Sequence, residues 1–146
     1  MTTSLHATRD LTKNQSLVYS ALYNADGPLS AYSILDLLRK NGLRAPQQVY
    51  RALDKLLERG LIHRLESINA FVACTHHDHT RQSVIGFAIC EICERVIEFS
   101  DPKLTHRLTD WAEGEGFGIK KTTIEIRGLC EACAAGSPPI QHAGQK

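Results

Sequence analysis

Along the first sixty residues, apolar positions recur at helical spacing in three runs bounded by capping and turn residues. Thr12 and Gln15 form a capping-box pair ahead of Val18, Ala21, Leu22 and Ala25, and Gly27-Pro28 closes that run. Ser30 caps a second helix whose apolar face is Ala31, Ile34, Leu35 and Leu38, with Asn41-Gly42 marking its end. Pro46 suits the first turn of a third, with Val49, Ala52, Leu53 and Leu56 inward and Gly60 as its stop. The period then changes. LIHRL (61–65) and AFVAC (70–74), separated by Glu66-Ser67-Ile68-Asn69, predict a β-hairpin with a four-residue loop. Three short helices followed by a two-stranded hairpin is the order of a winged helix-turn-helix.

Beyond a His-rich stretch the pattern returns to short strands. Val84 to Ile89 and Val96 to Phe99 flank a Cys-x-x-Cys, and Asp101-Pro102 predicts the cap and first turn of a helix with Leu104, Leu108 and Trp111 inward. The glycines of EGEGFG end it. Ile119 to Arg127 reads as a further strand, Ile124 and Ile126 alternating with Glu125 and Arg127. The expected fold class is α+β: an N-terminal winged helix-turn-helix followed by a small α/β domain with a four-cysteine zinc site. The expected boundaries are a flexible arm (1–10), a winged-helix DNA-binding domain (11–74), a hinge and metal-binding linker (75–83), the α/β domain (84–134) and a disordered tail (135–146).

Composition changes this picture in two places. The chain of 146 residues, 42% hydrophobic and 23% charged, can bury a core. No apolar run approaches the roughly 20 residues of a membrane span, and the polar N-terminus lacks a secretory pattern, so the default location is cytoplasmic. In a reducing compartment, paired Cys-x-x-Cys elements point to metal and not to disulfides. The net charge of +1 hides a local excess: from Arg39 to Arg64 seven Lys and Arg face only Asp54 and Glu58.

That basic segment contains the third helix. Its apolar positions leave Gln47, Gln48, Tyr50, Arg51 and Lys55 on outward or flanking faces. Arg and Gln make bidentate contacts to guanine and adenine edges, while Lys and Arg along the rim neutralise phosphates. Tyr50 and Arg51 are the preferred readers, because residues near the start of a recognition helix reach base edges. A solvated helix face is the plain alternative, and the winged-helix order of elements outweighs it.

Two metal positions are expected. Cys90, Cys93, Cys130 and Cys133 form two pairs separated by 36 residues, enough for a strand, a helix and a second strand. Four thiolates close the tetrahedral shell of zinc and leave no position for substrate, so this site is structural. The remaining donors are His63, Cys74, the cluster of His76, His77 and His79, and Glu98. A thiolate beside imidazole and carboxylate favours zinc over manganese or magnesium. Donors from the wing, the linker and the second domain would let one ion fix the arrangement of the domains.

The stretches VYRALDKLLERGLIHRLESINAFVAC, the HHDH cluster, CEIC followed five residues later by Glu98, and the closing GLCEAC resemble the ferric uptake regulator (Fur) family, most closely its zinc-uptake branch. The resemblance covers Leu11 to Cys133. It implies a dimeric, metal-activated transcriptional repressor with an N-terminal winged helix and a C-terminal α/β dimerisation domain. It assigns the structural zinc to the four paired cysteines and the regulatory zinc to His63, Cys74, His79 and Glu98, with His77 and His76 as substitutes for His79. That makes two Zn(2+) per subunit. It places Tyr32 and Arg51 on operator-contacting positions, and Asp36 and Arg39 on positions that pair between neighbouring dimers; an i,i+3 pair on one helix is their plain reading. Leu129 and Thr105 stand where iron-sensing relatives carry a histidine and a carboxylate, so an additional metal site is dismantled.

The expected function is therefore a zinc-responsive repressor of zinc uptake genes, with double-stranded operator DNA and a second copy of the chain as partners and neither membrane nor small-molecule substrate. The alternative is an iron-, manganese- or peroxide-responsive sibling. More remote are a zinc-dependent hydrolase, for which no H-E-x-x-H signature exists, and a structural zinc-ribbon adaptor, which leaves the winged-helix half unexplained.

Overall fold

The computed structural model describes residues 9–75 and 84–136. The expected arm (1–8 of it), the linker histidines His76, His77 and His79, and the tail from 137 lie outside the described residues. The chain divides into two compact units, Met1–His77 and Asp78–Lys146.

The first unit is a winged helix-turn-helix. Helix α1 (Lys13–Tyr23) starts in the predicted capping box: Thr12 Oγ1 accepts from Gln15 N at 3.3 Å and Gln15 Oε1 from Thr12 N at 3.1 Å. It stops at Tyr23, so Ala25 lies beyond it. Helix α2 (Ala31–Leu38) is capped by Ser30, and a 3-10 turn (Arg39–Asn41) ends at Gly42, whose φ of 101° only glycine adopts readily. That turn delivers Leu43, fully buried, ahead of helix α3 (Pro46–Glu58). Val18, Ile34, Leu43, Val49 and Leu56 are completely shielded and form the centre of the core. Strands β1 (Ile62–Leu65) and β2 (Ala70–Ala73) pair antiparallel, His63 opposite Val72, and Asn69 takes a left-handed φ of 48° to turn the wing. Phe71 also exchanges two backbone hydrogen bonds with Leu29, at 2.8 and 3.0 Å, tying the wing to the α1–α2 connection. No alternation predicts that bridge, because Leu29 sits alone between the turn residues Pro28 and Ser30.

The second unit is built on a three-stranded sheet in the order β4-β3-β5. Strands β3 (Ile85–Cys90) and β4 (Val96–Ser100) are antiparallel, whereas β5 (Thr123–Gly128) lies parallel to β3 after a crossover through helix α4 (Pro102–Gly114). Asp101 caps α4 through Lys103 N and Leu104 N, as the sequence predicts. Phe87 is its most shielded large side chain. Gly86 leaves room for the ring of Phe99 on the neighbouring strand, which a Cβ there would run into.

Three expectations change. Trp111 is 59% exposed, and Ala112 is buried in its place. Leu104, Leu108 and Ala112 continue one i,i+4 row, which puts Trp111 at the edge of the stripe, where it packs on Phe117 at 6.3 Å between ring centroids. The last strand begins at Thr123 and not at Ile119, which is exposed. Ile126 shares a face with Ile124 as predicted, yet is 52% exposed.

Candidate metal centre and nucleic-acid interface

The sheet brings the two Cys-x-x-Cys elements together by topology. Because β3 and β5 are parallel neighbours with Cys90 opposite Gly128, both strands end on the same side, and each runs directly into its cysteine pair. Glu91 N donates to Gly128 O at 2.9 Å, and Arg127 reaches Glu91 across 3.1 Å, fastening one turn to the other strand. In the first turn Glu94 N donates to Cys90 O at 3.0 Å, and Glu94 takes a φ of 61°, reversing the chain so that Arg95 O receives Cys90 N. In the second, Cys130 begins a single helical turn, α5 (Glu131–Ala134), which carries Cys133.

The four Sγ atoms all lie within 4.8 Å of one another. Cys93 Sγ and Cys130 Sγ are 3.7 Å apart. Zinc–sulfur bonds of about 2.3 Å in a tetrahedron require edges of about 3.8 Å, so the spacing fits zinc. It excludes a bonded disulfide, and none of the five cysteines forms one. Cys90 and Cys133 are buried. The backbone N–H groups of Cys130, at 3.4 Å, and of Cys93 hold the Cys90 thiol down at about 6. Desolvation, then the neighbouring thiols, push Cys133 up to about 12. Packed thiols that resist ionising together are a site that a divalent cation completes.

In the first unit, His63 on β1 and Cys74 just beyond β2 present ligand atoms within 4.8 Å of each other. Cys74 N donates to Leu61 O at 2.9 Å, which continues the hairpin by one pair and fixes the cysteine beside the base of the wing. Cys74 is buried, and Tyr19 from α1 lies close enough that burial, then Tyr23 and then the Cys74 sulfur, raise its hydroxyl above the usual range. Glu98, on β4 of the second unit, is half-buried opposite Phe87. Thr105 Oγ1 accepts from Val84 N at 2.9 Å and donates to Asp101 O at 3.0 Å, so a hydrogen-bonded staple occupies this position of α4. Leu129 is exposed.

Helix α3 buries Val49, Ala52, Leu53 and Leu56 and leaves Gln47, Tyr50, Arg51 and Lys55 exposed. Tyr32 on α2 is 64% exposed. Lys55 pairs with Glu58 at 3.1 Å within α3, and Asp36 on α2 with Arg39 of the following 3-10 turn at 3.2 Å. Gln48, expected on an outward or flanking face of the helix, is engaged with the backbone. It is half-buried, and its Oε1 accepts from the backbone N–H groups of Arg44 at 2.9 Å and Ala45 at 3.1 Å. A glutamine three residues after the cap and two after an N1 proline carries that signal in the sequence.

The model of the ferric uptake regulator family matches residues 8–127. The chain belongs to that family. It is 39% identical over 124 residues to the zinc uptake regulation protein of Escherichia coli (strain K12), covering 84% of this chain and 72% of the relative. The solved structure of holo XcZur is 40% identical, with a TM-score of 0.77 and 86% of each chain covered. A zinc uptake regulator complexed with zinc and DNA is 36% identical, with a TM-score of 0.80, covering 91% of this chain and 90% of that one.

Proposed function

We propose that this family member is a zinc-responsive transcriptional repressor that binds operator DNA as a homodimer and controls zinc uptake genes. The observation that carries the choice of metal is the Cys74 thiol beside the His63 imidazole: a sulfur donor favours zinc over the harder ions of the sibling sensors. The likeness to zinc uptake regulators, one of them complexed with zinc and DNA, supports the same reading.

In this proposal Cys90, Cys93, Cys130 and Cys133 hold a structural zinc, and His63, Cys74, His79 and Glu98 a regulatory one, two ions per subunit. His77 and His76 are the substitutes for His79. A ligand shifts a conformational equilibrium only by its differential affinity for the two states, so the regulatory ion must bind the DNA-competent arrangement more tightly. Tyr32, Gln47, Tyr50, Arg51 and Lys55 supply the DNA-facing surface. A homodimer has support in the apolar row of the second sheet, where Ile97, Ala88 and Ile126 lie in register and the two isoleucines are 48% and 52% exposed. No described helix is long and apolar enough to cross a membrane. Regulation of transcription is the proposed role in place of catalysis, and the cytoplasm is where it would act.

The deciding experiment measures zinc per chain before and after mild chelation, with DNA binding followed in parallel on a duplex selected from a randomised pool. Two zincs, one removable with loss of DNA binding, is the expected outcome. One zinc per chain, with binding indifferent to chelation, would sink the sensor.

A further inference from the structure

The start of α3 has a problem that its sequence solves with half of a capping box. Its N-cap residue, Ala45, has no side-chain acceptor, and the peptide before it must connect buried Leu43 to the helix. Helix N-termini leave N–H groups without intrahelical partners. Gln48 supplies the acceptor from inside the helix: Oε1 receives both Arg44 N, at 2.9 Å, and Ala45 N, at 3.1 Å. A carbonyl oxygen has two lone pairs, and both are then engaged.

Glutamine reads adenine in the major groove by accepting from N6 while donating to N7, which requires a vacant carbonyl oxygen. Gln48 can offer that only by releasing both backbone groups and loosening the helix that carries the reading face. We infer that Gln48 is a positioning residue, a clamp that fixes the Arg44–Ala45 peptide at the head of the recognition helix, and that base reading falls to the exposed Gln47, Tyr50 and Arg51. The basic side chain of Arg44 is thereby carried on a fixed backbone. The inference rests on the DNA-binding reading above and divides the labour within it.

The test uses full-length zinc-loaded protein with two variants, Gln48→Ala and Gln48→Glu. Amide hydrogen exchange is measured at Arg44 and Ala45. Affinity is measured on the duplex that the wild-type protein selects from a randomised pool, and on each of its single base-pair variants. Gln48→Ala removes the acceptor, so exchange at both amides accelerates at least tenfold. Gln48→Glu keeps the acceptor and loses the amide donor, so both amides stay protected. The discrimination between base pairs stays within about twofold of wild type at every position, because a base contact worth 1–3 kcal/mol would relax one position by roughly fivefold or more. Unchanged exchange in Gln48→Ala, or one base pair losing its discrimination in Gln48→Glu, overturns the inference. A wild-type protein that selects no duplex with zinc refutes the repressor reading instead, and the exchange measurement still tests the clamp.

Discussion

Replacing Cys93 by serine, or stripping the metal with a strong chelator under reducing conditions, tests how far the second unit depends on its four-cysteine centre. The two cysteine pairs close a loop of 36 intervening residues. A cross-link across a loop of that length restricts the unfolded chain by about 4 kcal/mol in the chain-entropy picture. A unit of 69 residues, Asp78–Lys146, has roughly 3–10 kcal/mol of stability in all. Loss of the centre therefore removes a share comparable with the whole, and adds repulsion among thiols crowded within 4.8 Å. The first unit has its own core, from Val18 to Phe71, and keeps it. The chain supplies its own reporters: Trp111, its single tryptophan, lies in the second unit and packs on Phe117, while helices α1 to α3 dominate far-ultraviolet circular dichroism. Chelation or Cys93→Ser should abolish the near-ultraviolet signal of Trp111 and leave a cooperative helical melt. A Trp111 signal that survives complete zinc removal, or one transition shared by both probes, would show the centre is not the staple described here.

Other consequences can be measured separately. Gly86→Ala places a methyl against the Phe99 ring and should cost about 1–3 kcal/mol, read as a lower midpoint in chemical denaturation of the second unit; combination with Phe99→Leu should recover part of it. Arg51→Ala should weaken operator binding by about 1–3 kcal/mol and relax one base preference, whereas Lys55→Ala should weaken all sequences alike and lower the salt dependence by about one ion. Equal behaviour of the two variants would contradict the assignment of α3 as the reading helix. Zinc uptake by metal-free protein should tighten as pH rises, because the four thiols must give up their protons to ligate the ion. A pH-independent affinity between pH 6 and 8 would argue against this thiol set.

The winged helix was the most legible part of the chain because each of its local signals agrees with the others. Thr12 and Gln15, Ser30, Gly42 and Pro46 mark helix ends, and the core buries the expected Val18, Leu22, Ala31, Ile34, Leu35, Leu38, Val49, Ala52, Leu53 and Leu56. The four paired cysteines were legible for a different reason: their spacing reports chemistry directly. Features created by long-range pairing were not. The Leu29–Phe71 bridge joins residues that no periodicity connects. Trp111 looked inward because hydrophobicity alone does not distinguish a stripe's centre from its edge, and exposed Ile97 and Ile126 alternate just as buried residues do. Gln48 shows a third limit. Its residue type suits both a base contact and a helix cap, and the two distances to Arg44 N and Ala45 N show that the cap is formed.

The parallel pairing of β3 with β5 sets an order of events during synthesis. The first unit closes its core with residues no later than Phe71, so it can fold while translation continues. The sheet of the second unit gains β5 only after the crossover helix has been made, and its cysteine cluster waits for Cys130 and Cys133. Each nascent chain therefore passes through a period in which a finished winged helix trails two unmatched thiols, Cys90 and Cys93. A ribosome stalled in that interval, or a frameshift before Cys130, would leave a folded reader joined to an incomplete second unit exposed to quality-control proteases.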